Sequence, residues 1–323
     1  MKIGFVFSGY GSQWVGMGKE LYDHSRSAQE LFEEASSCLD MNFVKLCFAS
    51  SDAELSKIEN AYVALFVVSV ALARALEEAG ITPALVAGDD IGEYAAVSVI
   101  GGLSVPDALY LLKKYGLFYQ QYLDQSEAKG FRVTGLTISE LEKLCKKVSK
   151  KGEVAAVAVV EGDEQALVMA TDIAALALKE QLQELSYVTV SSMSVGGGFH
   201  APVMDEIVKQ MKMYLEKVDF KTGSVPFVSG VIGQPLEEGE MIRAALMQHI
   251  HAQTQWNKVE EAFEQCDYIL EVGPGTSLRD SFAKRYPQKR VLAINSLADV
   301  MNMKQEIDQK KNGEERQEQE AGE

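Results

Sequence analysis

Short apolar runs that end in glycine alternate along the chain with longer stretches in which apolar positions recur every three or four residues. These are the spacings of buried strands and of helices with one apolar face. KIGFVFS is rich in β-branched and aromatic residues and breaks at GYGSQ, which predicts a first strand. AYVALFVVSVALARALEEAG predicts a long apolar helix closed by Gly80, ALVAG a buried strand, and VPDALYLLKKYGLFYQQYL an amphipathic helix with Pro106 near its start. Strands and helices that alternate in this way imply a parallel sheet covered by helices.

Between about residues 126 and 195 the texture changes to strand (GFRVTGL), helix (ISELEKLCKKVSKKG), strand (EVAAVAVV), strand (ALVMAT), helix (DIAALALKEQLQEL) and strand (SYVTVSS). That β-α-β-β-α-β order is the split, ferredoxin-like arrangement. The α/β texture then resumes with APVMDEIVKQMKMYL, VPFVSGV and DYILEVGPG. The fold class is therefore α/β: a large domain at 1–125 and 196–300, a parallel sheet with flanking helices, and an inserted ferredoxin-like small domain at 126–195. Residues 301–323 lose almost all apolar character and mix both charges, which predicts a charged flexible tail or a docking segment.

Composition narrows the partners. With 323 residues, 47% of them hydrophobic and 24% charged, the chain reads as an ordinary soluble protein able to bury a large core. No apolar run reaches the roughly 20 residues that span a bilayer, and MKIGFVFSG has no signal-peptide layout. Cys38, Cys47, Cys145 and Cys266 lack metal-ligand spacing and read as reduced structural thiols, which points to a cytoplasmic protein without a metal or other cofactor. A net charge of −16 argues against nucleic acid and anionic membranes. An acidic carrier protein or coenzyme A would need a local basic patch.

Candidate chemistry centres on residues 85–96, LVAGDDIGEYAA. A strand, Gly-X-X-X-Gly and a helix form a nucleophile elbow in shape, with the middle side chain held over the end of the sheet. Here that residue is Asp90, with Asp89 before it and the Ile91 amide placed to donate to an oxyanion. GYGSQ and EVGPG lack P-loop spacing and read as tight turns.

GDDIGEYAAV resembles the Gly-His-Ser-X-Gly-Glu-Tyr-Ala-Ala segment of the malonyl-CoA:acyl carrier protein transacylases and polyketide synthase acyltransferases. FVFSGYGSQWVGMGKELY is similar to the family's amino-terminal segment, and its Trp-X-Gly-Met-Gly continuation to the polyketide branch. GGFHAPVM looks like the segment carrying the family's catalytic histidine, here His200, beside Phe199; TQWNKVEEAF and YILEVGPGTSL match the closing motifs. The resemblance runs to about residue 297. It implies an α/β-hydrolase-like large domain and, as partners, an acyl carrier protein with its acyl thioester, a coenzyme A thioester or a polyketide synthase module. It leans toward the stand-alone acyltransferase homologues of bacillaene-type trans-acyltransferase pathways, and so toward antibiotic biosynthesis.

This chain departs from that pattern where chemistry is done. Asp90 stands for the nucleophilic serine, Asp89 for the preceding histidine, and Tyr115 for the arginine that pairs with the malonyl carboxylate; Tyr10 and Tyr62 replace active-site glutamines, the Tyr10 backbone amide keeping its oxyanion role. Loss of the guanidinium removes a bidentate partner worth about 2–5 kcal/mol when buried. An aspartate attacking a thioester would give a mixed anhydride prone to hydrolysis. Three readings of the aspartates stay open: helix capping, Asp90 as nucleophile, and Asp90 acting with His200 on a bound water. An Asp–His pair is expected to raise the histidine's pKa. His24, His249 and His251 sit among polar residues and receive no role; Thr254 and Trp256 are expected to line the cleft. The expected function is an auxiliary step or acyl hydrolysis on carrier-bound thioesters. A non-catalytic carrier-binding relative and a conventional transacylase are the alternatives.

Overall fold

The computed structural model describes residues 1–125, 128–150, 152–193 and 200–321, without the side chains of 128, 202 and 312–321. Its strands are β1 (Ile3–Phe7), β2 (Leu85–Gly88), β3 (Ala128–Thr134), β4 (Ala155–Gly162), β5 (Gln165–Thr171), β6 (Thr189–Met193), β7 (Phe227–Val228), β8 (Pro235–Leu236), β9 (Tyr268–Val272) and β10 (Arg290–Ile294). Six of them form one sheet in the order β10-β9-β1-β2-β7-β8, parallel throughout except for the edge pair β7 and β8. Every residue of β1, β2 and β9 is buried. Helices on both faces leave no polar alternation, which is why these strands read as continuous apolar runs.

The helix Ile58–Glu78 fills the core beside this sheet and is buried nearly all round from Ile58 to Leu76. By length and composition it could cross a bilayer, contrary to the sequence estimate of apolar run length, and 89% of its apolar window lies inside the protein. The helix Val105–Gln125 crosses it closely. A Cβ on Gly116 would stand 2.7 Å from the Glu59 Cα, and Lys113 pairs with Glu59 at 3.2 Å beside that contact. The crossing sets Tyr115 against Tyr62.

The inserted unit is an antiparallel sheet in the order β4-β5-β3-β6, the ferredoxin-like order, and the fold is α/β as the sequence implied. Leu141 and Cys145 of the helix Ile138–Val148 and Ala174 and Leu178 of the helix Asp172–Gln183 pack on one face. The other face meets the large domain. At the free edge of β4 the Thr254 amide donates to Ala158 and the Val160 amide to the Thr254 carbonyl, both at 2.8 Å, joining the two units. The carboxy-terminal helix Leu297–Ala321 buries Val300, Met303 and Ile307 against the core, so the segment expected as a tail starts as packed helix.

Candidate active site

β2 ends at Gly88 and the helix Gly92–Val99 begins four residues later. A Cβ on Gly88 would lie 2.0 Å from the Gly92 carbonyl carbon, and one on Gly92 would lie 2.3 Å from the Phe7 oxygen. Only glycine admits this approach of strand to helix. Between them Asp90 takes φ 45°, a left-handed conformation that aspartate tolerates better than most residues. The helix has no side-chain cap: its Gly92 and Glu93 amides donate to the backbone oxygens of Asp89 and Asp90 at 2.7 and 3.2 Å. That removes the capping reading of the aspartates.

His200 also has a positive φ, 41°. Its Nδ1 donates to the His249 carbonyl at 2.6 Å, which leaves Nε2 bare, and Nε2 lies 3.8 Å from the Asp90 Oδ1. Burial pushes the His200 imidazole down to about 4, against the pull of the His249 carbonyl. The expected rise is thus reversed, because desolvation of the imidazolium outweighs the hydrogen bond to the His249 carbonyl. A neutral imidazole with a bare nitrogen beside a carboxylate is not an ion pair. The two atoms stand beyond direct hydrogen-bond reach.

Two further residues complete the site. The His249 ring stacks on His200 with centroids 4.4 Å apart, and its Nδ1 lies 3.2 Å from the Glu93 Oε2. The other Glu93 oxygen accepts from the Gly230 amide at 2.6 Å. Burial drives the Glu93 carboxyl well above its usual range and His249 well below its own, so the two meet as neutral groups. The sequence reading gave His249 no role. Its signal lay in the helix Gly239–His249, where Ile242, Ala245, Leu246 and His249 share the buried face. His251, by contrast, pairs at the surface with Asp205.

Half-buried Asp89 has its pKa raised to about 7, by burial first and then by the charges of Asp90, Glu161 and Glu271. Tyr10, Tyr62, Tyr115 and Tyr119 form a run of rings with successive centroids 6.0, 5.3 and 6.1 Å apart. Burial and then the Asp90 charge raise the phenols of Tyr62, Tyr115 and Tyr119. Among the described residues the Tyr62 and Tyr115 hydroxyls have no well-formed hydrogen bond, although Tyr62 lies near enough to oppose the rise at Tyr115. The Tyr10 hydroxyl is drawn off to the Ser56 carbonyl at 2.8 Å. Among the described residues the Tyr10 and Ile91 amides donate to no backbone oxygen, as an oxyanion site requires. Phe199 lies outside the described residues. Trp256 is buried against Phe282, and Thr254 carries the bridge between the domains.

The acyl transferase domain family matches residues 4–300. The chain is similar to the malonyl CoA-acyl carrier protein transacylase of Bacillus subtilis strain 168, 29% identical over 91% of this chain and 93% of that one. Among solved structures it resembles FabD from Acinetobacter baumannii, 26% identical over 95% of this chain and 98% of that one, with a TM-score of 0.87. It also resembles, at 24% identity and a TM-score of 0.86, over 93% of this chain and 98% of that one, a malonyl-transacylase solved with a type II polyketide synthase acyl-carrier protein.

Proposed function

The chain belongs to the acyl transferase domain family, and on that premise we propose that it hydrolyses acyl thioesters held on an acyl carrier protein, as an auxiliary step of bacillaene-type polyketide antibiotic biosynthesis in the cytoplasm. One observation carries the reading: Asp90 Oδ1 and the bare His200 Nε2 face each other across 3.8 Å at a nucleophile elbow. A water seated there donates one hydrogen to each acceptor and turns a lone pair to the thioester carbonyl. Its oxygen bonds to that carbon as a proton passes to His200, and the Tyr10 and Ile91 amides receive the oxyanion. The C–S bond then breaks and His200 returns the proton to the leaving thiolate. Thioester and water become carboxylic acid and thiol, with Asp90 holding the water and balancing the imidazolium.

The tyrosine run argues against malonyl as the acyl group. Tyr115, standing where the resembled family has its arginine, offers no cation, and the Asp90 charge, which already raises the phenols around it, opposes a further carboxylate. The carrier is supported by the malonyl-transacylase solved with its acyl-carrier protein; the polyketide setting rests on the Trp-X-Gly-Met-Gly segment. Against the overall charge, the helix Ile138–Val148 and its C-terminal turn expose Lys143, Lys146, Lys147 and Lys150, which make no ion pair among the described residues and suit an acidic carrier.

The test is to incubate the protein with acetyl-, malonyl- and longer acyl-carrier thioesters and follow acid release and the mass of both proteins. Release that vanishes in Asp90→Ala and His200→Ala supports hydrolysis; labelling of a carrier with malonyl refutes it. Burial of Asp90 and His200, 8% and 5% exposed, favours one second reading, a carrier-binding relative without turnover. Specific carrier binding with no acid release in any variant would establish that instead.

A further inference from the structure

We infer that the His249 side chain, anchored by Glu93, is a positioning residue that locks the ring orientation and tautomer of His200. The inference rests on the proposed role of His200 as base, and goes beyond it by assigning work to two side chains that never meet the substrate.

The geometry is a closed circuit. Asp90 and Glu93 leave the same turn of chain, one at the elbow and one in the first turn of the helix behind it. Asp90 faces the His200 Nε2 at 3.8 Å; Glu93 faces the His249 Nδ1 at 3.2 Å; the two imidazoles stack at 4.4 Å with 28° between their planes. The His249 backbone oxygen takes the His200 Nδ1 hydrogen at 2.6 Å. Residue 249 therefore grips His200 twice, by its carbonyl at the ring edge and by its own ring across the face.

A carbonyl alone would leave His200 free to swing about that hydrogen bond. It sits at φ 41°, a conformation that non-glycine residues rarely adopt, so the side chain's placement has to be held by its neighbours. Stacking restrains the swing only if the lower ring is itself fixed. Glu93 closes on that ring at 3.2 Å from Nδ1, a contact without well-formed hydrogen-bond geometry, and is itself held by the Gly230 amide at 2.6 Å. Glu93 and His249 are 0% and 6% exposed, so water does not compete for these contacts. Through them the elbow helix, which sets Asp90, also sets the ring opposite it.

The chain has four histidines, which makes the imidazole nitrogens readable one by one by NMR after ¹⁵N-histidine labelling. His249→Phe keeps the backbone carbonyl and a flat ring but has nothing for Glu93; His249→Gln keeps a polar link to Glu93 without the ring; His249→Met serves where His249→Phe does not fold. In the wild type His200 is expected as the single Nδ1-protonated tautomer. In His249→Phe a second tautomer is expected to appear, with kcat for acid release falling roughly 10- to 100-fold, the usual loss when an outer partner of a functional histidine is removed, and KM holding within about threefold. His249→Gln is expected to recover most of both losses. The inference is overturned if His249→Phe keeps one tautomer, or if His249→Gln falls as far as His249→Phe. Should the wild type release no acid, the proposed hydrolysis fails, and the tautomer measurements still decide the role of His249.

Discussion

Asp90→Asn changes the charge at the elbow and almost nothing else. In the proposed reaction His200 must become an imidazolium in a site whose burial holds its pKa down to about 4. The Asp90 carboxylate supplies the opposing charge. Unit charges 3.8 Å apart attract by about 4 kcal/mol at an effective dielectric of about 20. Loss of that attraction corresponds to about three decades of rate. Acid release under saturating acyl-carrier thioester is thus expected to fall by about a thousandfold, with little change in KM, since Asp90 does not hold the carrier. Stability should hold or rise, because one buried carboxylate leaves the neighbourhood of Asp89 and Glu93, so unfolding does not mimic the effect. Activity within tenfold of wild type would refute the role given to Asp90. A second outcome is equally damaging: if one turnover in heavy-oxygen water leaves the label on Asp90, the acid group was itself the nucleophile.

The other expectations are independent of this one. The Asp89 carboxyl has a folded pKa of about 7 against 3.8, so folding favours its protonated form; that stability is full below about pH 4 and lost as pH rises to about 7. Asp89→Asn should match the wild type in Tm at the acid end, gain on it through that window and level off above, and a difference independent of pH would contradict the raised pKa. Gly88→Ala puts a methyl 2.0 Å from the Gly92 carbonyl carbon, with backbone on the other side. Urea unfolding should show a loss of about 3 kcal/mol, and a loss under 1 kcal/mol would mean that the elbow is looser than described.

Much of the architecture was legible because its signals are local. The ferredoxin-like insert announced itself through alternating short elements, and the elbow through Gly88 and Gly92 flanking a buried strand and a helix. His200 was legible only through the resemblance, since a lone histidine after glycines carries no signal of its own. His249 was read as a polar residue without a role. Its neighbours in sequence are polar, while the face it shares with Ile242, Ala245 and Leu246 is apolar and its partner Glu93 lies 156 positions away. The direction of the His200 shift was misread for a related reason. Sequence proximity to a motif says which charge a histidine faces but not how much water surrounds it, and here burial decides.

That burial also explains why a site with three carboxyls refuses a fourth. Glu93 is held protonated, both imidazoles are neutral, and Asp89 is balanced near half-protonation at about pH 7, so the cleft carries little charge for its composition. A malonyl carboxylate would add a full charge beside Tyr62 and Tyr115, whose phenols the Asp90 charge already raises, with no guanidinium at position 115 to receive it. Tyr115→Arg alone would therefore bury a cation beside Asp90 and be drawn to it, satisfying the guanidinium with the wrong carboxylate. Only with Asp90→Ser and Asp89→His as well does the new arginine meet the substrate. The triple variant is expected to load malonyl from coenzyme A onto Ser at position 90, seen as a covalent mass gain, while Tyr115→Arg alone is not. Equal loading by the single variant would show that Asp90 never set the charge of the cleft.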